Sequence, residues 1–258
     1  MSKLETSPSL DNNNWIEIQE SLRRRLILKD DFTWRVPTQR NEPDENCGVE
    51  NLKYVGGVDL SFSKDDPSVA CGALVVLDLS NLNVVYDDFS VVQLKIPYIP
   101  GFLAFREVPV LLQLLEKMKE NTHPFYPQLL MVDGNGLLHP RGFGLACHLG
   151  VIANIPTIGI GKNLHNVDGL TQSGVRRLLE AEQNCARDLI TLTGHSGRVW
   201  GAAMRSTLGS YKPIFVSIGH RISLDTAIKV VKMTCKYRVP ESIRQADMRS
   251  RDYLQKHM

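Results

Sequence analysis

The chain has 258 residues, 43% of them hydrophobic and 22% charged, and a formal net charge of +2. That length and balance fit one α/β domain of ordinary polarity, and the near-neutral charge excludes a polybasic surface while permitting a nucleic-acid partner. No stretch approaches the roughly 18 consecutive apolar residues of a membrane span, so no membrane role is expected. The five cysteines are scattered, without a C-x-x-C pair or a zinc-ligand spacing. Reduced thiols in a cytoplasmic, or also nuclear or nucleolar, protein are therefore expected. The N-terminal stretch is polar and carries no apolar core of a signal peptide.

Residues 1–13, rich in Ser and Asn, read as a disordered N-terminus, and 14–258 as a single catalytic domain. Asn14 is placed to cap a helix through Leu28, with Trp15, Ile18, Leu22 and Leu26 on one face and Arg23, Arg24 and Arg25 on another. Residues 37–51 form a polar connection. Strands follow at 54–62, 69–79 and 84–94, the last two joined by the short polar turn expected of a hairpin. Pro97-Tyr98-Ile99-Pro100-Gly101 breaks both the helical and the strand period. A helix is predicted over 102–119, a strand over 129–133, a helix over 143–153 and a strand over 157–160. The stretch 163–198 is mixed. A strand over 215–218 and helices over 224–233 and 240–256 complete the chain.

Three meandering strands followed by helix–strand–helix–strand predict an α/β fold with a mixed central sheet and helices on both faces. The order is also ribonuclease H-like, which places the first and fourth strands side by side. Both of those strands end in an aspartate, Asp59 and Asp133. A strand-end carboxylate is either a turn cap or a ligand at the edge where open α/β sheets bind their substrates. Glu107 shares a helical face with Leu103, Arg106 and Val110. Spacing leaves it either pointing inward or paired with Arg106 on the surface. Carboxylates gathered at one point require neutralisation, and oxygen ligands suit magnesium, with manganese as a substitute. Pro109 is expected to kink the helix that carries Glu107.

Four segments carry a resemblance. Val55-Gly56-Gly57-Val58-Asp59-Leu60-Ser61-Phe62, the stretch from Pro97 to Glu107, the stretch from Val132 to Gly144, and Val239-Pro240-Glu241 with Arg244-Gln245-Ala246-Asp247 resemble endonuclease V, in that family's order. The resemblance implies a ribonuclease H-like fold and a magnesium-dependent endonuclease that acts on inosine-containing nucleic acid. Such an enzyme cuts the second phosphodiester bond 3′ to inosine and leaves 3′-hydroxyl and 5′-phosphate ends. It implies Asp59 and Asp133 as direct metal ligands and Glu107 as completing the acidic set, through bound water. Asp247 would position the attacking water or a second metal. Pro97, Tyr98, Ile99 and Pro100 match the family's wedge, which fills the gap left by an extracted base.

Gly134, Asn135, Gly136 and Gly142 are implied to line the base pocket, with glycine letting backbone approach a ligand closely. His139 is assigned to phosphate or to water geometry, although a structural role also fits it. Lys162 is implied to contact phosphate; its surroundings lack the spacing of a nucleotide-triphosphate loop. His148, on an apolar helix face, reads as a core histidine with a polar partner. The Arg141–Gly150 segment and Asp247 resemble the animal branch, implying inosine-containing single-stranded RNA as substrate, inosine DNA as the alternative, and a monomer. A non-catalytic binder of edited RNA is the reading from another class, and the intact acidic positions oppose it.

Overall fold

The computed structural model describes residues 12–39, 48–181, 188–207 and 212–257. Of residues 1–13, expected to be disordered, 1–11 lie outside them, as does the central part (40–47) of the 37–51 connection; Asn12 and Asn13 instead form the first turn of a helix. The elements are α1 (Asn12–Arg23), β1 (Tyr54–Phe62), β2 (Val69–Asp78), β3 (Val84–Gln93), α2 (Leu103–Glu120), β4 (Leu129–Asp133), α3 (Leu145–Ala153) and β5 (Thr157–Gly161). There follow α4 (Gln172–Ala181), β6 (Leu189–Thr193), β7 (Val199–Met204), β8 (Ile214–His220), α5 (Leu224–Thr234) and α6 (Glu241–His257).

All eight strands form one sheet in the order β3-β2-β1-β4-β5-β8-β7-β6. β1 runs antiparallel to β2 and parallel to β4, with Val58 opposite Val132. The next residues along are Asp59 and Asp133, so the expected neighbourhood of the two aspartates is present. This is the ribonuclease H-like architecture, with helices on both faces.

The strand period distributes the core. Val55, Leu129 and Met131 face one cluster together with Ile243 and Ala246 of α6. Val58, Leu60, Leu130 and Val132 face the other, with Leu111 and Leu115 of α2 and Leu149 of α3. Successive side chains of a strand point to opposite faces, so Asp59 and Asp133 both emerge on the α6 side.

Several expected boundaries move. α1 starts at Asn12 and ends at Arg23, so Asn14 lies inside the helix and Arg24 and Arg25 lie beyond it. Of the expected apolar face, Leu22 and Leu26 pack against Phe143, Cys147 and Val151 and Trp15 stacks on Phe105, whereas Ile18 is exposed; the most buried residue is Gln19, held by polar contacts. α2 runs through Pro109 as one element. α3 starts at Leu145, and β8 extends over Ile214–His220. The mixed stretch contains α4 and β6, and β7 follows it, pairing β6 to β8. Among the described residues, no helix is long and apolar enough to cross a membrane.

Candidate active site

The centre lies at the carboxyl ends of β1 and β4. A cleft of 710 Å³ is lined there by Asp59, Asp133, Lys162 and Asp247, among others. Asp59 is 9% exposed. Asp247 reaches it from α6, which lies against β1. Ser61 of β1 and Ser250 of α6 hydrogen-bond at 2.6 Å, which fixes the height of Asp247 beside the strand end.

Burial raises the Asp59 pKa well above the ordinary carboxylate value; the charge of Asp133, and the charge of Asp247 with a hydrogen bond to it, raise it further against the pull of Lys162. Asp59 and Asp247 thus stand within hydrogen-bonding reach of each other. Lys162 donates to the Asp133 carboxylate at 2.5 Å. Burial opposes its charge most, but Asp133, by charge and hydrogen bond, with the charges of Asp59 and Asp247, leaves its pKa raised. Its ammonium is therefore seated on the Asp133 carboxylate at the floor of the cleft. Asp247 also pairs with Arg251 at 2.7 Å, one helical turn further along α6.

Glu107 is buried, at 7% exposure, which decides between its two readings in favour of the inward one. It rises from α2, which packs on the face of the sheet opposite to α6, and it lies within reach of the Asp133 charge. Burial pushes its pKa up to about 7, with Arg106 lowering and Asp133 raising it. Arg106 instead donates to the Pro67 carbonyl at 3.1 Å and lies over the Phe62 ring.

Among the described residues, no three His, Cys, Asp or Glu side chains converge as a ready ligand set. The chemistry of the pair Asp59 and Asp133 nevertheless fits magnesium. That ion is commonly held by one or two carboxylates and completes its shell with waters and substrate phosphate oxygens. A divalent cation would also relieve the repulsion that raises Asp59.

A second cavity, of 250 Å³, is lined by Gly134, the residue after Asp133, and by Tyr98, Pro100, Asn135, His139, Gly144 and His165, among others. Tyr98 is 58% exposed at the tip of the 97–101 turn, flanked by exposed Pro97 and Pro100 and half-buried Ile99. Gly134 and Asn135 line this cavity as expected, but Gly136 and Gly142 do not. A β-carbon on Gly136 would lie 2.1 Å from the Ile218 carbonyl oxygen, so its missing side chain serves packing on β8 rather than a ligand.

His139 accepts from the Arg141 N–H at 3.2 Å. Burial, then His165 and Arg141, lower its pKa to about 4, so it lines the cavity as a neutral imidazole. His148 is buried, but among the described residues its Nδ1 has no hydrogen-bond partner. The imidazole packs edge-on to Phe105 with ring centroids 4.9 Å apart, and burial keeps it neutral by lowering its pKa to about 4.

Three further residues complete the site. Gln19 donates to the carbonyls of Gly101 (3.2 Å) and Phe143 (3.1 Å) and accepts from Arg141. It thereby ties both walls of the smaller cavity to α1. Nothing local in the sequence signals that role. Arg251 was legible as the i+4 neighbour of Asp247. Phe62 was not, since its exposure depends on where β1 ends.

A family model for Endonuclease V matches residues 33–248. The chain belongs to the Endonuclease V family. Mouse Endonuclease V is 44% identical over 242 residues, spanning 94% of this chain and 69% of the mouse protein. The crystal structure of the catalytic domain of human Endonuclease V superposes with a TM-score of 0.84 at 39% identity, covering 97% of this chain and 98% of the human one. Ciona intestinalis Endonuclease V, in complex with a 24mer DNA containing an inosine followed by a ribo-adenosine, superposes at a TM-score of 0.86 and 34% identity, covering 97% of this chain and 100% of that one. Members of the Endonuclease V family are metal-dependent nucleases, and the acidic cleft is where this chain would hold the ion.

Proposed function

We propose that this protein is a magnesium-dependent endonuclease that recognises inosine in single-stranded RNA and cuts the second phosphodiester bond on its 3′ side. One observation carries the reading: a base-sized cavity under an exposed aromatic turn is lined by Gly134, one residue after the Asp133 carboxylate. A nucleotide everted into that cavity leaves its 3′ strand directed across the acidic cleft, so recognition and cutting fall at separate points. An enzyme that identifies a single base must take it out of the stack, and Tyr98 is placed to fill the gap.

Asp59 and Asp133 would hold the ion, with Glu107 acting from α2 on the water around it. When bound, magnesium polarises the scissile phosphate and offsets the charge on the leaving oxygen. Asp247, kept in place by Arg251, orients a water and takes its proton. The water oxygen bonds to phosphorus and the P–O3′ bond breaks. The leaving oxygen takes a proton from solvent as a 3′-hydroxyl, and the downstream strand departs with a 5′-phosphate. Lys162 offsets charge on the phosphoryl oxygens from its seat on Asp133.

RNA is favoured over DNA by the similarity to the animal relatives. The Ciona protein's complex, in which a ribonucleotide follows the inosine, also supports a 2′-hydroxyl being read beside the cut. The test is paired cleavage of RNA and DNA oligonucleotides of one sequence, each with one inosine, with and without magnesium. Faster cutting of RNA is expected. Equal rates would remove the RNA preference, and no inosine-dependent cutting of either would remove the function.

A further inference from the structure

The acidic residues line only part of the 710 Å³ cleft; the rest is lined by Phe62 at the end of β1, Lys64 just beyond it, and Arg251 and Gln255 of α6, among others. Phe62 is 39% exposed, although it continues a strand whose preceding seven residues are buried. Strand alternation turns its ring to the α2 side, where the Arg106 guanidinium lies 4.9 Å from the ring centroid. Arg106 is itself anchored on the Pro67 carbonyl. The ring is thus braced on one side by a fixed cation and open to the cleft on the other. Aromatic rings presented this way beside cationic side chains bind single-stranded nucleic acid by base stacking and backbone charge.

The order of cavities sets which nucleotide would lie there. The smaller cavity is lined by Gly134, the residue after Asp133, while Phe62 lines the larger cleft three residues after Asp59 and takes no part in the smaller cavity. A strand entering from the smaller cavity and crossing Asp133 and Asp59 therefore arrives at Phe62 after the scissile phosphate. We infer that Phe62, with Lys64 and Arg251, forms a stacking subsite for the nucleotide immediately 3′ of the cut. The assignment of the occupant rests on the endonuclease reading above; base identity is immaterial to it, because every base offers a π face.

The test uses the full chain in magnesium chloride and a 5′-phosphorylated single-stranded RNA without inosine, corresponding to the downstream product. Its affinity is read by fluorescence anisotropy for the parent protein, Phe62→Ala and Phe62→Tyr. Phe62→Ala is expected to weaken binding about tenfold, and Phe62→Tyr to retain it. An abasic first nucleotide should weaken the parent similarly and Phe62→Ala no further. Equal affinity of parent and Phe62→Ala would overturn the subsite, as would equal loss in Phe62→Tyr or an abasic penalty shared by both proteins. Cleavage of an inosine RNA by the parent is run alongside. Its failure would remove the inosine reading without touching the fragment affinities, so the two ideas fall separately.

Discussion

Gly57 of β1 lies so close to Ser242 of α6 that an added β-carbon would sit 2.3 Å from the Ser242 carbonyl carbon. The contact brings α6 down onto the strand that carries Asp59, and the same helix carries Asp247. A missing side chain thus determines how close two carboxylates stand. Gly57→Ala is expected to destabilise the fold by about 1–3 kcal/mol through overpacking. Cleavage should fall further than the loss of folded protein accounts for, because Asp247 moves with the helix. Chemical denaturation and cleavage by the still-folded fraction check both parts; full specific activity in that fraction would refute the geometric argument.

Asp59 illustrates a conflict between function and stability. Its burial among like charges disfavours the ionised form, and the amide of Asp59→Asn removes that cost. Without divalent metal, the variant is expected to melt at a higher temperature than the parent at neutral pH. Magnesium should raise the parent's Tm by mass action and leave the variant's nearly unchanged, with cleavage abolished. Thermal scans with and without magnesium check this, and a metal-induced shift preserved in the variant would count against Asp59 as a ligand.

Glu107 should leave a mark on the pH dependence of stability. Its folded-state pKa is raised from 4.5 to about 7, so the native state binds more protons than the unfolded chain across that interval. The stabilisation is complete below pH 4.5 and is lost as pH rises through about 7, at most about 3 kcal/mol. Glu107→Gln, measured without metal, is expected to remove this decline. Parallel stability curves for parent and variant between pH 4.5 and 7.5 would contradict it.

Gln19 lies outside the 33–248 span of the family match, yet it connects the turn before α2 with the 141–143 loop. Gln19→Leu strands the buried Phe143 carbonyl and the partly buried Gly101 carbonyl and is expected to cost about 1–3 kcal/mol. It should also reduce discrimination between inosine and adenosine substrates, since both walls of the smaller cavity lose their common anchor. Comparison of kcat/KM for the two substrates provides the check. An unchanged ratio would make the residue purely structural.

Tyr98 is expected to behave in the opposite way. Because its ring is 58% exposed, Tyr98→Ala should leave Tm unchanged. Loss of one stacking contact predicts about a tenfold rise in KM for inosine RNA. Tyr98→Phe should recover most of that loss, and failure of Phe to do so would point to the hydroxyl instead of the ring.

Local patterns were enough to read the central strands, the hairpin and the two strand-end aspartates, because apolar periodicity and turn composition act over a few residues. The family motifs extended that reading to Asp247 and the 97–100 turn. The same patterns were silent on β6 and β7, where a short edge strand and a glycine-broken partner leave no clear period. The face on which Glu107 lies, the seating of Lys162 on Asp133 and the service of Gly136 to β8 were settled only by packing. So was the tie from Gln19 across more than a hundred residues to Phe143. A sequence pattern records which way a side chain leaves its own element; what it meets depends on how elements distant in the chain are brought together.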